Sequence, residues 1–301
     1  MTPVSNISAS IHQRLLNKAM ADRRPFNELL QYYAIERFLF RLGQSSYCQN
    51  FVLKGALAFL TWQVPLTRPT RDMDFLGFTE NSVDNLVHIV QDICALTPEN
   101  DDGIIFDPQT VEGTVIKEDA EYSGVRVAFL GYLGKAKINM RLDVGFADII
   151  TPHPNEIELQ TILEGSSKPC IRAYPPETVI AEKFQAMVDL GMANSRLKDF
   201  YDLWFMANTM EFDFGLLKEA ITITFKNRGT SLPQSTPIAF TEEFAAQKQI
   251  QWATFLKKNQ LMDVPTRLYD VIQGLTRFFT PLVNPNGEAF RHWSLTIGWV
   301  K

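Results

Sequence analysis

Helical periodicity dominates the first segment of the chain. Apolar side chains recur every three or four positions between residues 7 and 43, which predicts two helices separated at Arg24-Pro25. The apolar run over residues 51–54 stops at Gly55, where the helical pattern resumes. We therefore expect a short lead-in at residues 51–54 and a helix that begins at Gly55 and ends before Pro65.

Alternation of polar and apolar residues predicts strands in the middle of the chain. Asp72 and Asp74 alternate with Met73 and Phe75, so a strand over residues 71–78 would carry both aspartates on one face. A helix over residues 82–96 is followed by predicted strands at residues 104–106, 110–117, 125–133 and 137–145. We therefore expect an α/β (α+β) fold with a mixed or antiparallel sheet flanked by helices.

From residue 175 onwards the pattern becomes helical again. Pro175-Pro176-Glu177 places a proline and an acid at a helix start, and this helix should end near Gly191. Further helices are predicted over residues 197–209, 214–225, 241–256 and 265–282, with an exposed loop over residues 227–237. The predicted organisation is a sheet-containing domain over residues 1–170 and a mainly helical domain over residues 171–301.

Composition is that of an ordinary globular protein. The chain has 301 residues, of which 46% are hydrophobic and 21% are charged. It contains no run of about 18 apolar residues and no basic start followed by an apolar stretch, so we expect a cytoplasmic protein without a membrane segment. Three widely spaced cysteines, Cys48, Cys94 and Cys170, suggest buried thiols rather than metal ligands or disulfides.

The net charge of -5 argues against a protein that coats nucleic acid through its overall electrostatics. The first segment nevertheless has a local basic bias, which comes from Arg14, Lys18, Arg23, Arg24, Arg37 and Arg41. These side chains could contact RNA phosphates, or they could form a solvated helix face.

The Asp72/Asp74 pair has the spacing needed for metal-dependent nucleotidyl transfer. In that reaction carboxylates hold one or two Mg2+ ions that bind the triphosphate and activate the attacking hydroxyl. A glycine such as Gly55, at a helix start before the strand, would let backbone N–H groups approach phosphates. The alternative is a surface strand with two solvated aspartates, because an Asp-x-Asp pair alone is common.

Other charged residues have two interpretations each. Asp143 shares a strand face with Arg141 and is either a third carboxylate of the site or a strand-end acid satisfied by its neighbours. Lys183, in an apolar helix, either reaches solvent or meets an anion. Asp199 and Asp202 share a helix face that is either functional or only salt-bridged. The flanking cations, which could neutralise a triphosphate or pair with carboxylates, are Lys54, Arg68 and Arg71.

Five segments together resemble the AbiEii family, the nucleotidyltransferase toxins of bacterial toxin–antitoxin and phage-defence systems. They are Leu53–Ala58, Arg68–Phe75, Arg141–Asp148, Pro175–Lys183 and Arg196–Leu203. The resemblance extends from about residue 11 to residue 208. It implies a DNA polymerase β-like nucleotidyltransferase domain followed by a helical domain, with the substrate nucleotide held between them.

The resemblance also implies roles for individual residues. Gly55 and Ala56 stand at the family's Gly-Gly or Gly-Ser position, where alanine keeps a close backbone approach but removes any hydroxyl. Asp72 and Asp74 match the metal-binding acids, and Asp143 looks like the third carboxylate. In the helical domain, Lys183 would contact the nucleotide or otherwise be needed for activity. Asp199 would be a base or a metal-linked partner, and Asp202 would be structural.

The function implied by this resemblance is transfer of a nucleoside monophosphate from a nucleoside triphosphate, with Mg2+ or Mn2+ as the metal. RNA, and tRNA in particular, is the acceptor that the resemblance suggests. The protein would be a toxin restrained by a cognate antitoxin, with or without direct contact. The alternatives are a catalytically inactive nucleotide-binding module and a kinase-like phosphotransferase, although the chain lacks a kinase's Gly-rich phosphate loop and His-Arg-Asp motif.

Overall fold

The computed structural model describes residues 6–62, 72–117, 123–284 and 290–301. The chain divides into two compact units. The first unit comprises residues 1–147 and 154–174, and the second comprises residues 148–153 and 175–301.

The first unit contains three α-helices and a mixed sheet within its described residues. The helices are α1 (Ile7–Ala21), α2 (Phe26–Gln44) and α3 (Val83–Ala95). The strands are β1 (Phe51–Lys54), β2 (Asp72–Gly77), β3 (Ile104–Lys117), β4 (Ser123–Leu133), β5 (Ala136–Gly145), β6 (Asn155–Glu158) and β7 (Cys170–Ala173). Helix α1 begins where the Asn6 side chain accepts a hydrogen bond from the Ala9 amide, and α3 begins at the equivalent cap, Ser82.

The sheet has the strand order β3-β4-β5-β2-β1-β7-β6. Strand β2 is parallel to β5, and β1 is parallel to β7. The remaining neighbours are antiparallel, which confirms the predicted mixed sheet. One face of the sheet packs into an apolar core in which Phe38 of α2 contacts the rings of Phe106 and Phe129. Polar side chains therefore collect on the other face of β2, β4 and β5.

The internal strand β1 was predicted only as a short lead-in to a helix. Residues 51–54 are all buried and pair with β2 on one side and β7 on the other, so this lead-in is itself a strand of the sheet. A strand buried on both faces has no polar alternation, and a run of three apolar residues before Lys54 is too short to reveal its type. The segment Gly55–Trp62 that follows is a 3-10 helix rather than an α-helix. The predicted end of this helix before Pro65 lies outside the described residues.

Two arginines of the basic first segment are structural. The Arg41 guanidinium donates to both carboxylate oxygens of Asp102 at 2.8 and 3.1 Å, and both residues are buried. Arg37 is likewise buried and lies 2.6 Å from the Glu36 carboxylate. Lys18 forms an ion pair with Asp22, and Arg24 forms one with Glu28; each acid lies four positions further along the chain. Arg37 and Arg41 are therefore neither RNA-contacting nor solvated, whereas contact of the other four basic side chains with RNA stays a prediction.

The three cysteines are free thiols, but only one is buried. Burial raises the pKa of the Cys94 thiol to about 12. Cys48 is half-buried and Cys170 is exposed, so the expectation of buried thiols is wrong for these two. Cys170 lies on the short strand β7, which the sequence did not predict.

The second unit is mainly helical. It contains α4 (Pro176–Leu190), α5 (Leu197–Thr209), α6 (Phe214–Asn227), α7 (Glu242–Asn259) and α8 (Leu268–Val283). A small sheet is formed by β8 (Phe212–Asp213), β9 (His292–Ser294) and β10 (Gly298–Val300), none of which was predicted. Stacked aromatic rings link α4 to α8, with the ring centroids of Phe184 and Phe279 4.0 Å apart. Throughout the described part of the chain, each helix is too short or too polar to cross a bilayer.

Candidate active site

Four charged residues face one another across adjacent strands of the sheet. The row consists of Lys54 on β1, Asp74 on β2, Asp143 on β5 and Arg126 on β4. Because paired residues point to the same face and neighbouring strands lie about 4.8 Å apart, the sheet brings the carboxylates of Asp74 and Asp143 side by side. Two acids that are 69 positions apart in the sequence thus become neighbours through the parallel pairing of β2 and β5.

Asp72 lies on the same face as Asp74. Met73 between them is completely buried, whereas both aspartates are partly exposed, as strand alternation requires. Asp72 is paired in register with Arg141, whose guanidinium lies 3.4 Å from the Asp72 carboxylate. Both side chains are more than two-fifths exposed, so this ion pair is weak and can exchange with other partners.

Gly55 brings the backbone against Asp74. It follows β1 directly and has a φ angle of +70°, in the left-handed region that favours glycine. A Cβ atom added at Gly55 would overlap the Asp74 carboxylate. Only glycine therefore combines this backbone conformation with this close approach, while the neighbouring Ala56 is buried.

The sequence reasoning missed Arg126, which holds Asp143. Its guanidinium makes two parallel hydrogen bonds to the Asp143 carboxylate, at 2.8 and 2.7 Å. The hydrogen bond to Asp143 raises the pKa of Arg126, although burial opposes the shift. Both residues 125–133 and residues 137–145 were predicted as strands, but the contact depends on the register between them, which the sequence did not give.

The chemistry of these acids fits a hard divalent cation, since Mg2+ and Mn2+ prefer carboxylate oxygens. Within the described residues, no three His, Cys, Asp or Glu side chains are grouped closely enough to hold a metal ion. Both carboxylate oxygens of Asp143 are hydrogen-bonded to Arg126. The assignment of Asp72, Asp74 and Asp143 as metal ligands therefore stays a prediction.

Replacement of Arg126 tests whether this guanidinium competes with a metal. We expect Arg126→Gln to strengthen Mn2+ binding by up to about fivefold, because it removes a partly exposed positive charge that pairs with Asp143. The change can be followed by electron paramagnetic resonance of free Mn2+. Lys137→Gln, which removes an exposed charge from β5, is the control. Equal affinity in Arg126→Gln and wild type would show that the pair does not limit metal binding.

A second charged group lies inside the second unit. Lys183 on α4 donates to Asp199 at 2.5 Å and to Asp202 at 2.9 Å, both on α5. The two aspartates are almost fully buried. The sequence left two possibilities for Lys183, which could reach solvent or meet an anion. The structure shows contact with anions. Asp199 also pairs with Arg196 at 2.7 Å, so the salt-bridged alternative describes part of this face.

The ionisation of Asp199 is set by opposing effects. Burial raises the pKa of its carboxyl, but the positive charges of Lys183 and Arg196 outweigh burial and bring the pKa below its usual range. A carboxylate with a lowered pKa is a weak proton acceptor near neutral pH. The contacts therefore favour Asp199 as a residue that positions Lys183, a role that it shares with Asp202.

Arg228, which the sequence did not indicate as part of the site, contacts two further acids. Both acids lie in segments that resemble the AbiEii family. The Arg228 guanidinium lies 2.8 Å from the Asp148 carboxylate and 3.5 Å from that of Glu182. These contacts lie inside the second unit and tie residues 148–153 to its helices. Of the remaining predicted residues, Arg68 and Arg71 lie outside the described residues.

A sequence model of the family described as "Nucleotidyl transferase AbiEii toxin, Type IV TA system" matches residues 37–273. The chain belongs to the AbiEii family. The AbiEii match reaches into α8, well beyond residue 208, where the resemblance by motifs was expected to end. Most of the C-terminal helices therefore belong to the family's common sequence. Among proteins with curated annotation, none matches the chain.

Two solved structures from Helicobacter pylori are similar to this AbiEii-family chain. One, described as a candidate nucleotidyltransferase, is 19% identical with a TM-score of 0.48, and the match covers 82% of this chain and 91% of the other. The second, JHP933, is 20% identical with a TM-score of 0.46, and the match covers 79% of this chain and 84% of the other.

Proposed function

We propose that this AbiEii-family protein transfers a nucleoside monophosphate from a nucleoside triphosphate to an acceptor hydroxyl. The observation that carries the proposal is the meeting of Asp74 with Asp143 across β2 and β5, with Asp72 on the same face and Gly55 against Asp74. This arrangement presents oxygen ligands beside a backbone that approaches unusually closely. It suits a metal-bound triphosphate, whereas two solvated aspartates on a surface strand would not require Gly55.

The reaction exchanges one phosphorus–oxygen bond for another. The acceptor oxygen attacks the α-phosphorus, the bond from this phosphorus to the bridging oxygen of the β-phosphate breaks, and diphosphate leaves. The acceptor hydroxyl loses its proton to solvent. When bound, Mg2+ or Mn2+ would neutralise phosphate charge and favour loss of that proton.

The chain's own residues orient the reactants. Asp72 and Asp74 would hold the cation, and Gly55 keeps the backbone close to Asp74. Arg126 holds Asp143 in one orientation and would give up this contact when Asp143 joins the metal. In the second unit, Asp199 and Asp202 fix the Lys183 ammonium, which we propose contacts the nucleotide. Lys54, Arg68, Arg71 and Ala56 complete the proposed nucleotide-binding set.

The family description extends the proposal to physiology. It names a toxin of a type IV toxin–antitoxin system, which supports a growth-inhibiting role countered by a cognate antitoxin. We propose RNA, with tRNA as the first candidate, as the acceptor whose modification inhibits growth. If a small reading frame beside this gene encodes the antitoxin, its co-expression should relieve toxicity.

The position of a radioactive label separates the three functional hypotheses. We expect triphosphates labelled at the α-phosphate to label total RNA in the presence of Mg2+, and triphosphates labelled at the γ-phosphate to leave it unlabelled. Transfer of the γ-label would instead identify a phosphotransferase. Triphosphate binding without transfer of either label, across RNA, protein and small-molecule acceptors, would identify an inactive binding module. Excess chelator should abolish α-label transfer.

A further inference from the structure

A groove in the first unit adjoins the proposed metal site. It has a volume of about 830 Å³ and lies over the polar face of β3, β4 and β5. Asp72 lies at one end, so the groove begins at a residue of the proposed metal site. Such a volume is typical of sites for small molecules or for one or two units of a polymer.

Strand register explains the position of the groove. Its floor follows the row of residues paired across four strands, namely Asp72 on β2, Arg141 on β5, Ala128 on β4 and Glu112 on β3. This row lies two residues along the strands, or roughly 6.7 Å, from the row that contains Asp74 and Asp143. Ala128 leaves the centre of the row open because its side chain is a single methyl group.

An irregularity in β3 forms the rim of the groove. The register of β3 against β4 shifts between Asp107 and Glu112. The Thr110 hydroxyl donates to the Asp107 carbonyl at 2.7 Å and accepts from the Leu130 amide at 3.0 Å. The backbone N–H of Gln109 donates to the Asp107 carboxylate at 3.0 Å. These hydrogen bonds fix the bulge, and bulges beside active sites commonly direct a side chain towards a ligand.

The groove is lined by polar and apolar residues in similar measure, and it carries no surplus of positive charge. Neutral hydrogen-bonding groups come from Gln109, Thr110 and Asn139. Among the described lining residues the only positive charge is that of Arg141, and Asp72 and Glu112 carry negative charges. A site for a phosphate backbone needs a surplus of cations. Side-chain amides, which both donate and accept, instead match the edges of unpaired bases.

We propose that this groove binds the acceptor as the unpaired terminal nucleoside of an RNA, recognised through its base and ribose rather than its phosphates. Gln109 and Asn139 contact the base, and the terminal hydroxyl lies at the Asp72 end. The identification of the bound group as the acceptor rests on the proposed function. Binding of an unpaired nucleoside in the groove is independent of the proposed function.

Binding without transfer gives the first test. The probes are four 5′-fluorescein-labelled RNA homotrinucleotides with free 3′ hydroxyls, and the readout is fluorescence anisotropy without triphosphate. We expect Gln109→Ala and Asn139→Ala each to weaken binding of the preferred trinucleotide by roughly tenfold, as loss of a base contact does. Asn100→Ala, at an exposed position on a loop, should bind like wild type. A blunt-ended duplex should bind more weakly than any unpaired end.

The second test uses transfer to the same trinucleotides. The two groove variants should raise the KM for the acceptor and leave kcat and the KM for the triphosphate nearly unchanged. If wild-type protein transfers nucleotide and the variants do so with the same acceptor KM, the groove is not the acceptor site. If wild type transfers nothing but both variants weaken trinucleotide binding, the groove proposal stands and the proposed function fails. Failure of wild type to bind any trinucleotide, or groove-dependent transfer to proteins or small amines instead, would overturn the nucleoside assignment.

Discussion

Replacement of Lys183 with methionine is expected to destabilise the second unit by about 3–5 kcal/mol. Lys183 lies between two carboxylates that are nearly inaccessible to water, Asp199 and Asp202. Without its charge, Asp202 loses the contact at 2.9 Å, whereas Asp199 keeps its ion pair with Arg196. A buried carboxylate that loses a cation in contact is less well compensated for its desolvation or takes up a proton, and either outcome reduces the free energy of unfolding.

Urea denaturation followed by tryptophan fluorescence measures this effect. The signal reports mainly the second unit, which contains four of the five tryptophans: Trp204, Trp252, Trp293 and Trp299. Lys198→Met, at an exposed position on α5, is the matched control and should leave the transition unchanged. Adding Asp199→Asn and Asp202→Asn to Lys183→Met should restore most of the stability. A small loss in Lys183→Met alone would show that the three side chains are not an interdependent buried group.

Gly55→Ala is expected to reduce nucleotidyl transfer by about a hundredfold, the loss that a displacement of roughly 1 Å can cause at a reacting centre. The added Cβ would overlap the carboxylate of Asp74, so either Asp74 or the backbone after β1 must move. Both are parts of the proposed site. The variant should also bind Mn2+ more weakly, because Asp74 is one of its proposed ligands.

Gly165→Ala is the control for Gly55→Ala. It has the same free-energy cost of placing alanine in the left-handed backbone region, but it displaces no neighbouring side chain. Gly165 has a φ angle of +79°, close to that of Gly55, but no atom lies within 4 Å of its added Cβ. Both variants should lose about 1–2 kcal/mol of stability from the backbone conformation. Only Gly55→Ala should lose transfer and metal affinity. Equal activity in the two variants would mean that the contact between Gly55 and Asp74 has no role in catalysis.

Local patterns in the sequence were sufficient to predict most of the helices and strand β2, which carries Asp72 and Asp74. Helix α5 has the predicted bounds, Leu197–Thr209, because its apolar residues repeat at helical spacing. The face shared by Asp72 and Asp74 followed from alternation around the buried Met73. These features depend on neighbours within a few positions, which a single sequence displays directly.

Features that depend on pairing between segments far apart in the sequence were not predictable in the same way. Strand β1 was missed because burial on both faces removes the alternation that marks a strand. Strands β6 and β7 are only four residues long, and their pairing with each other and with β1 supplies the stability that their sequences do not signal. The contact of Arg126 with Asp143 required knowledge of the register between β4 and β5.

The predicted roles in the second unit illustrate the same limit. Helical spacing placed Asp199 and Asp202 on one face but could not identify the residue opposite them. The packing of α4 against α5 supplies Lys183, which contacts both acids at similar distances. A functional distinction between Asp199 and Asp202 therefore has less support than their common role in holding Lys183.

Metal binding by Asp72 and Asp74 can be measured by a Mn2+ titration followed by electron paramagnetic resonance. The titration compares wild type with Asp72→Asn/Asp74→Asn, and with the control Asp189→Asn/Asp263→Asn, which removes two exposed carboxylates. We expect the first variant to bind Mn2+ more than about tenfold more weakly, because even residues that only support metal ligands cost that much when replaced. Wild-type affinity in Asp72→Asn/Asp74→Asn would show that these two aspartates do not hold the metal.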